Sequence, residues 1–488
     1  MKRVLLGLCL LPGLLLVPHC AGRSSDEGAP LRGRDLLLVV SDSVDAAHVG
    51  AYGYSRDTTP FLDELAASGA VLERAVSQTS WTLSSVASLL TGLEQEAHGV
   101  TQIEQSLPLD GPTTLGELFR RRGYRTVGLV QNAVLEEGTG LDRGFDRFDY
   151  VRFTDEGADD LVRIVGEEAA AAPEDRPLFM YVHVGPPHMP YRPPEPFLSR
   201  YSGAAPESRM VGSIRDTTSL MVEKVGPDHP DVLRLVELYD GHLAYADSIV
   251  RRAVEAFQRP SQADGSSPNG TSPNGTSPNG GAAAPAVLVT SDHGEAFMQH
   301  GAIGHNLFCY EPMVRIPWIL SAPGVVPAGV RVDGTGSILD VLPTLSDLFG
   351  LPVTDQRPAG RSLSAALLQG AAIPERPLLL SSRYPRPGRE AQLALVEGPW
   401  KLVVRRRGQS SQLFHTAEDP EEVHDLAAER PDQVARMEAL LQERRAAIRG
   451  GGTAARRRMS EGVLEELESL GYGGADGDGG QREAVGDR

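Results

Sequence analysis

Two apolar runs, each followed at once by acidic or imidazole side chains, constrain the fold of this chain most. The first, DLLLVVS, begins at Asp35 and leads into Asp42; the second, AVLVTS, begins at Ala286 and leads into Asp292 and His293. Uninterrupted apolar runs of this length are typical of strands buried on both faces, as in parallel sheets. Because ligands bind outside the carboxyl ends of such strands, these polar residues are expected at one edge of a sheet.

Strand-like runs alternate with helical patterns over most of the chain. Strands are expected over 124–132, 176–185 and 316–324, and helices over TPFLDELAASGAVLERA and over 232–257. This alternation predicts an α/β fold with a large, mostly parallel sheet sandwiched by helices, over residues 35–370.

A smaller C-terminal antiparallel α+β domain is predicted over residues 371–470. RPLLLSS, AQLALVEGPWKLVVRRR and QLFHT have the pattern of short antiparallel strands, and PDQVARMEALLQERRAAI that of a helix packed after them. Residues 261–286 form a Ser-Pro-Asn-Gly-Thr repeat too polar to be buried, which predicts a loop inserted in the large domain. The Gly- and Asp-rich tail over 471–488 is predicted to be disordered.

The N-terminus has the pattern of a signal peptide over residues 1–22, with two basic residues before an apolar run of about fourteen residues. A polar linker over 23–34 follows, and we expect an exported protein that is periplasmic, at the cell surface or secreted. Cys20 could carry a lipid anchor, or ordinary cleavage could occur near Ala21; the sequence leaves these alternatives open. No other run is long and apolar enough to span a bilayer.

Charge and cysteine content exclude several classes of protein. A formal net charge of −18 over 488 residues argues against a nucleic-acid-binding protein, because phosphate backbones select basic surfaces. Three cysteines are too few for a disulfide framework or a thiolate metal site.

Asp42, Asp292 and His293 are the candidate metal ligands. Carboxylate oxygens and an imidazole nitrogen suit Mn²⁺, Zn²⁺ or Mg²⁺, and Ca²⁺ is less natural with a histidine present. Each motif taken alone could be structural, a capped turn or a plain loop. Because both follow predicted strands, a shared divalent cation is the favoured interpretation.

Thr82 and several histidines are candidates for chemistry beside that cation. In SWTLSSVASLLTG, Thr82 lies at a predicted helix start, where free N–H groups and a metal would favour an alkoxide and a bound anion. It could equally be an N-cap, which local sequence alone favours. His183 and His188 lie in and after one predicted strand, and HGAIGHN contains two more histidines. Of these four histidines we favour His188 and His305 for proton transfer or anion contact.

These segments, in this order, resemble the sulfatase family of the alkaline phosphatase superfamily. The resemblance is carried by LLLVVSDSVDAAHVGAYGYSRDTTPFLDELAASG, SWTLSSVASLLTG, GYRTVGLVQN, YVHVGPPHMPY, VTSDHGEAFMQHGAIGHN and WKLVV with LFHTAEDPEEVHDLA. It implies a large α/β/α domain, a small C-terminal domain, a divalent cation that is commonly calcium, and hydrolysis of sulfate esters. It also implies that Asp42, Asp292 and His293 bind the metal and that His188 and His305 contact the substrate anion.

The chain departs from the family pattern around the nucleophile. The family has a cysteine or serine, oxidised to formylglycine, in a Cys/Ser-x-Pro-x-Arg motif. Counting back from Leu89-Leu90-Thr91-Gly92, these positions hold Thr82, Ser84 and Val86, and Ser43 replaces the second aspartate of the usual pair. Threonine cannot form the aldehyde by that route, whereas similar one-metal phosphotransferases use threonine directly.

Two functions follow from these residues. The first is a metal-dependent hydrolase of sulfuric or phosphoric esters, with Thr82 as nucleophile and a small-molecule or glycan ester as substrate. The second is a catalytically inactive relative that binds an anionic glycan or lipid headgroup. Val86 and Ser84 favour the second, and the intact metal and histidine positions favour the first.

Overall fold

The computed structural model describes residues 28–173, 175–203, 205, 207–258, 283–306, 308–352, 358–382, 392–404, 411–448, 454–457, 459 and 464. The predicted signal peptide, Cys20, most of the 261–286 repeat and the 471–488 tail lie outside these residues. No helix in the described part of the chain has both the length and the apolar character needed to cross a membrane.

Helices and strands alternate through the large domain, whereas in the C-terminal domain four consecutive strands precede one helix. The α-helices are α1 Pro60–Ala67, α2 Thr82–Thr91, α3 Gln95–His98, α4 Leu115–Arg121, α5 Asp155–Ala171, α6 Phe197–Arg200, α7 Ile214–Glu223, α8 Pro230–Phe257, α9 Glu311–Val314, α10 Val341–Phe349, α11 Ser364–Gln369 and α12 Pro431–Ala447. The strands are β1 Leu36–Ser41, β2 Ala70–Val76, β3 Gln105–Ser106, β4 Arg125–Val130, β5 Arg147–Tyr150, β6 Leu178–Val184, β7 Ala286–Ser291, β8 Ala296–Phe297, β9 Ile303–Gly304, β10 Arg315–Ile316, β11 Trp318–Ser321, β12 Val330–Ser337, β13 Leu378–Ser382, β14 Gln392–Glu397, β15 Trp400–Val404, β16 Gln412–His415 and β17 Ala455–Arg456.

The large domain is built on a nine-stranded sheet. Its strand order is β10-β2-β11-β7-β1-β6-β4-β5, and β12 pairs with β2. The central strands β7, β1, β6, β4 and β5 are parallel, while β11 and β10 run antiparallel to their neighbours. The predicted α/β class with a large, mostly parallel sheet is therefore confirmed.

Helices cover both faces of this sheet, which explains its apolar strands. In β1, Leu36, Leu38 and Val40 pack into the core beneath α2, α4 and α10. The alternate residues, Leu37 and Val39, pack into the opposite core with α1, α5 and α8. Because successive strand residues point to opposite faces, a strand covered on both sides needs an apolar residue at every position.

One predicted helix is partly wrong. TPFLDELAASGAVLERA begins as α1, with the predicted face of Phe61, Leu62, Leu65 and Ala66 buried, but its second half is strand β2. A side chain at Gly69 would lie 2.3 Å from the carbonyl oxygen of Leu320, so only glycine fits this junction. The Ser-Gly pair that ends the helix was the missed signal.

The N-terminal lead-in is also more structured than a polar linker. Leu31 is buried in the large core, and its N–H donates to the carbonyl of Leu348 at 2.8 Å. A single apolar residue thus attaches part of the predicted 23–34 linker to the domain.

The C-terminal unit is a four-stranded antiparallel sheet, in the order β13-β14-β15-β16, with α12 packed against it. It contacts the segment before α2 directly: Ser381 N–H donates to Gln78 O at 2.9 Å, and Ser382 Oγ lies 2.8 Å from Ser80 Oγ. This agrees with the predicted small antiparallel α+β domain, and it places that domain behind the start of α2.

A buried charge network joins the two domains. Lys401, fully buried in β15, lies 3.0 Å from Glu311 and 2.9 Å from Glu422. Glu311 also pairs with Arg74 of β2 at 2.8 Å. Glu422 thus relies on the buried ammonium of Lys401 for charge compensation, whereas Glu311 is compensated by both Lys401 and Arg74.

Replacing Lys401 by Met should lower the free energy of unfolding by about 3–5 kcal/mol, because it leaves buried carboxylate charge uncompensated. Equilibrium denaturation measures this loss. The control is Arg163→Ala, which removes pairs to Asp160 and Glu167 on an exposed helix face and should cost much less, because solvent screens exposed ion pairs. Equal, small losses in both variants would contradict the role assigned to Lys401.

Candidate functional site

Four neighbouring parallel strands bring polar side chains to one edge of the sheet. Along the order β7, β1, β6 and β4, these are Asp292, Asp42, His183 and Asn132. The register places His183 opposite Val40, two residues before Asp42. All four polar residues are buried, with at most 2% of their surface exposed. The structure thus brings together the two candidate aspartates from distant parts of the chain.

Asp42 and Asp292 form a pair that shares partners. The hydroxyl of Ser43 donates to Asp42 Oδ1 at 3.0 Å, and its N–H donates to Asp292 Oδ1 at 3.2 Å. Asn132 Nδ2 donates to Asp42 Oδ2 at 2.8 Å. Ser43 has a φ of 62°, a left-handed conformation that is uncommon for a residue other than glycine. Ser43 therefore acts as a connector between the carboxylates.

In the part of the chain that the structure describes, no lysine or arginine forms an ion pair with either aspartate. Burial and the charge of Asp292 raise the pKa of Asp42 to about 7. Burial also acts to raise the pKa of Asp292, but His293 and His183 outweigh it and hold that pKa below its usual value. Among the described residues, only imidazoles lie within ion-pair distance of either carboxylate. Buried negative charge in such surroundings favours a bound cation.

His183 is a member of this cluster that the sequence did not assign to a metal. Its Nε2 lies 3.6 Å from Asp292 Oδ2 and 4.0 Å from Asp42 Oδ2. Ligand atoms of these three residues all lie within 4.8 Å of one another. The signal would have been the pairing of β6 with β1, which a single sequence does not reveal.

His293 connects the carboxylates to Thr82. Its Nε2 lies 3.6 Å from Asp42 Oδ1, 3.5 Å from Asp292 Oδ2 and 3.2 Å from Thr82 Oγ1. Its Nδ1 lies 3.0 Å from the carbonyl oxygen of Gly294, which can only accept a hydrogen bond. Nδ1 therefore carries the ring hydrogen, and Nε2 can accept the Thr82 hydrogen or bind a metal.

Thr82 is the first residue of α2 and not its N-cap. Trp81 is the N-cap, in an extended conformation, so the interpretation of Thr82 as a cap is wrong. All ten residues of α2 are buried. Ser85 Oγ donates to the carbonyl of Asp292 at 2.5 Å, which attaches the first turn of the helix to the loop that carries the metal-site residues.

Ser84 and Val86, at the two further motif positions named in the sequence analysis, make structural contacts. Ser84 Oγ accepts a hydrogen bond from Gln95 Nε2 at 2.8 Å. Val86 is fully buried in the large apolar core. In this chain these two positions stabilise α2 and bring no charged group to Thr82.

His305 lies beside His293, and His188 lies beside His305. The ring of His305 is centred 4.4 Å from that of His293 and 4.8 Å from that of His188. Burial lowers the pKa of both His188 and His305 to about 4. His305 Nδ1 lies 3.1 Å from a carboxylate oxygen of Glu295, whose pKa burial raises to about 7. Glu295 was missed in the sequence, although it follows His293 by two residues.

His300, another histidine of the predicted group, lies elsewhere. Its ring stacks on Tyr310 with centroids 3.7 Å apart, and its Nε2 lies 3.2 Å from the carbonyl oxygen of Glu421. These contacts give it a structural position against the C-terminal domain.

The donor set fits a divalent metal ion. Asp292 Oδ2 and both ring nitrogens of His183 are buried and have no hydrogen-bond partner among the described residues. Buried polar atoms usually have a hydrogen-bond partner, so these atoms are suited to bind a metal cation instead. Asp42, Asp292 and an imidazole are the residues that would hold it, and such mixed donors suit Zn²⁺, Mn²⁺ or Mg²⁺.

The fold and this cluster define an α/β/α protein with a candidate metal site at the carboxyl edge of its sheet. A family model described as Sulfatase matches residues 34–267. The chain is 24% identical over 418 residues to the Δ4,5-hexuronate-2-O-sulfatase of Bacteroides thetaiotaomicron, covering 80% of this chain and 84% of that one. Residues 34–267 thus match a sulfatase domain, and the chain is similar to a sulfatase over most of its length.

Solved structures have the same fold. A structure titled as a complex with its substrate D-glucosamine-2-N,6-O-disulfate aligns with a TM-score of 0.67 at 17% identity, covering 85% of this chain and 98% of that chain. The phosphonate monoester hydrolase of Agrobacterium radiobacter aligns with a TM-score of 0.64 at 18% identity, covering 87% of this chain and all of that one. At these identities the likeness establishes the fold alone.

A further buried imidazole, His98, supports α2 from behind. Its Nδ1 accepts from Val100 N–H at 3.1 Å, and its Nε2 lies 3.0 Å from Ser88 Oγ on α2. Burial lowers the pKa of His98 to about 3. The neutral ring is therefore the form that the fold requires.

Acid should destabilise the protein through this residue. Below pH 6.5 the unfolded chain binds a proton at His98 that the folded protein does not bind, so the free energy of unfolding falls as the pH drops from 6.5 towards 3. The slope from one such group is up to about 1.4 kcal/mol per pH unit. His98→Gln should make this part of the curve shallower, measured by denaturation at a series of pH values; an unchanged slope would contradict the assignment.

Proposed function

We propose that this protein is a metal-dependent hydrolase of sulfate or phosphate esters, with Thr82 as the nucleophile. The observation that carries the proposal is the position of Thr82 Oγ1, buried at the start of α2 and 3.2 Å from Nε2 of His293. Asp42, Asp292 and His293 would hold the divalent cation beside it. When bound, that cation would lower the pKa of the hydroxyl and neutralise charge on the ester.

The residues around Thr82 provide for the remaining steps of the reaction. Thr82 Oγ would bond to sulfur or phosphorus as its proton passes to a base or water in the site, and the bond from that atom to the ester oxygen would break. The leaving oxygen would take up a proton, and water would then cleave the threonine ester, which releases sulfate or phosphate and restores the hydroxyl. His305, whose ring adjoins that of His293, and His188, whose ring adjoins that of His305, are the candidates for relaying these protons. Glu295, beside His305, orients that ring through Nδ1. The N-terminus of α2 would stabilise the anion with free N–H groups.

The choice between sulfate and phosphate esters depends on how water hydrolyses the ester formed on Thr82. The curated relative named above is a sulfatase, which supports sulfate esters. A solved structure with this fold is a phosphonate monoester hydrolase, which supports phosphorus chemistry. A phosphorylated threonine can be cleaved by water at phosphorus, whereas a sulfated hydroxyl resists attack at sulfur. Threonine in place of an aldehyde precursor therefore favours phosphate, while similarity to sulfatases favours sulfate.

An inactive protein that binds an anionic glycan or lipid headgroup is the second candidate. The observation in its favour is Val86, which lies in the core where the family motif has arginine, so no guanidinium from this position reaches the nucleophile. The buried carboxylates and imidazoles support catalysis more strongly, because binding an anionic headgroup would not need a hydroxyl placed beside them.

We propose further that the protein is exported, to the periplasm, the cell surface or the medium, with a lipid anchor on Cys20 as one option. The support is the basic and then apolar N-terminal sequence. Mass spectrometry of the protein purified from its native host would find either a cleaved N-terminus near residue 22, a lipidated Cys20, or an uncleaved chain, and the last result would contradict export.

Replacing Thr82 by Val should abolish turnover of nitrophenyl phosphate, a nitrophenyl phosphodiester or nitrophenyl sulfate, assayed with Zn²⁺, Mn²⁺, Mg²⁺ or Ca²⁺. Valine keeps the volume of the buried side chain and removes only the hydroxyl, so the expected loss is at least about a thousandfold. Steady-state rates of wild type and variant at matched metal concentration measure the effect.

Thr91→Val is the matched control, because Thr91 ends the same buried helix and its hydroxyl donates to Ala87 O, away from the cluster. It should retain most of the wild-type rate. Turnover that survives in Thr82→Val would remove Thr82 as nucleophile. Absence of turnover in the wild type with all three substrates, while metal and an anionic glycan still bind, would favour the binding protein.

A further inference from the structure

We infer that His183 is a direct ligand of the metal, and that the resulting site, with imidazole and carboxylate donors, selects Zn²⁺ or a similar transition metal over Ca²⁺. This inference rests on the metal-dependent function proposed above and goes beyond the ligand set Asp42, Asp292 and His293. The role of His183 is suggested by its own surroundings, by the distances around it and by the residue that replaces the second aspartate.

The ring of His183 is buried, and its two nitrogens make no hydrogen bonds within the described part of the chain. It has no exposed surface, and neither Nδ1 nor Nε2 has a hydrogen-bond partner among the described residues. A buried structural histidine normally uses its nitrogens, as His98 does with Val100 and Ser88. If this imidazole were purely structural, the desolvation of both nitrogens would destabilise the fold, and no hydrogen bond would offset it.

The distances from Nε2 to its neighbours match those between ligands of one ion. His183 Nε2 lies 3.6 Å from Asp292 Oδ2, which is itself unpartnered among the described residues. Its distance to Asp42 Oδ2 is 4.0 Å. Two atoms that each lie 2.0–2.2 Å from a tetrahedral Zn²⁺ are about 3.4 Å apart. The contacts are therefore too long for hydrogen bonds and close to the spacing of a shared metal.

His183 compensates for an aspartate that this chain lacks. Ser43 occupies the position of the second aspartate in the family pattern, and its hydroxyl is already bonded to Asp42 Oδ1. The side chains that could bind a metal together with the two carboxylates are thus imidazoles. Ca²⁺ prefers six to eight oxygen ligands at 2.3–2.6 Å, whereas imidazole suits Zn²⁺ and similar transition metals.

Charge balance supports the same assignment. Asp42 and Asp292 carry two negative charges when ionised, and an imidazole that binds a metal adds none. Among the described residues, no lysine or arginine lies within ion-pair distance of the two carboxylates. A divalent cation makes this fully buried group neutral. Exchanging the second aspartate for a histidine therefore matches the ligand charge to the ion without any basic side chain.

The strand arrangement explains how His183 reaches the ion. In β6, Phe179 and Tyr181 belong to the core on the α2 side of the sheet. His183 has the same parity along the strand, so its side chain points to that side, where Thr82 begins α2. β6 pairs directly with β1, which leads into Asp42.

The test is metal binding by the apo protein, measured by equilibrium dialysis with Zn²⁺ and with Ca²⁺, and by the visible absorption of Co²⁺. His183→Asn removes the imidazole donor and should weaken Zn²⁺ binding by more than about a hundredfold, beyond the 10–100-fold loss typical of an outer-shell partner. It should also change the Co²⁺ spectrum and leave Ca²⁺ binding within about twofold of wild type. The matched control His98→Gln, another buried imidazole, should leave all three unchanged.

A folded His183→Asn protein, checked by circular dichroism, with wild-type Zn²⁺ affinity and Co²⁺ spectrum would overturn the inference. So would tighter binding of Ca²⁺ than of Zn²⁺ by the wild type. If the variant does not fold, X-ray absorption of the Zn²⁺-loaded wild type decides: scattering from two imidazoles is expected, and scattering from one would overturn it.

These measurements need no turnover, so they separate this inference from the proposed reaction. Zn²⁺ held by two imidazoles in a protein inactive on every ester would refute the hydrolase and support the role of His183. Turnover that depends on Thr82, with one imidazole on the metal, would support the hydrolase and refute the role of His183.

Discussion

The structure depends on one constraint: two aspartates are buried side by side at the ends of adjacent parallel strands. Neighbouring β7 and β1 place Asp292 and Asp42 in contact with shared partners, and no guanidinium or ammonium group of the described residues balances them. The parallel sheet makes this arrangement unavoidable once the strands pair in register. Much of the surrounding polar structure, from the left-handed Ser43 to the orienting Asn132, serves to keep these carboxylates in place.

Most of the fold was predictable because the strands are apolar at every position. Full burial on two faces leaves an unmistakable sequence pattern, and strand ends rich in Asp and His then locate the site. The same reasoning placed Asp42, Asp292 and His293 together, and Thr82 near them. The prediction failed where two short elements adjoin. The Ser68-Gly69 turn separates α1 from β2, but the apolar residues after the turn continue a helical pattern, so the turn was not recognised.

What the sequence could not predict depends on strand order. His183 and Asn132 lie in segments that look ordinary by themselves, and each becomes part of the site only because β6 and β4 are the next strands beyond β1. Glu295 is different, since it lies in the Asp-His-Gly-Glu segment, but its role is visible only when His305 folds back against it. The N-cap interpretation of Thr82 failed because Trp81, a residue with little capping tendency, occupies that position with an extended backbone.

The contacts of β13 with Gln78 and Ser80 have a consequence for how this protein can change over time. The small domain is hydrogen-bonded to the backbone that leads into α2, the helix that begins with the proposed nucleophile Thr82. Substitutions in that sheet can therefore shift the start of α2, although they lie in the other domain. A chimaera that takes its C-terminal domain from a relative would therefore also need that relative's segment equivalent to residues 77–80.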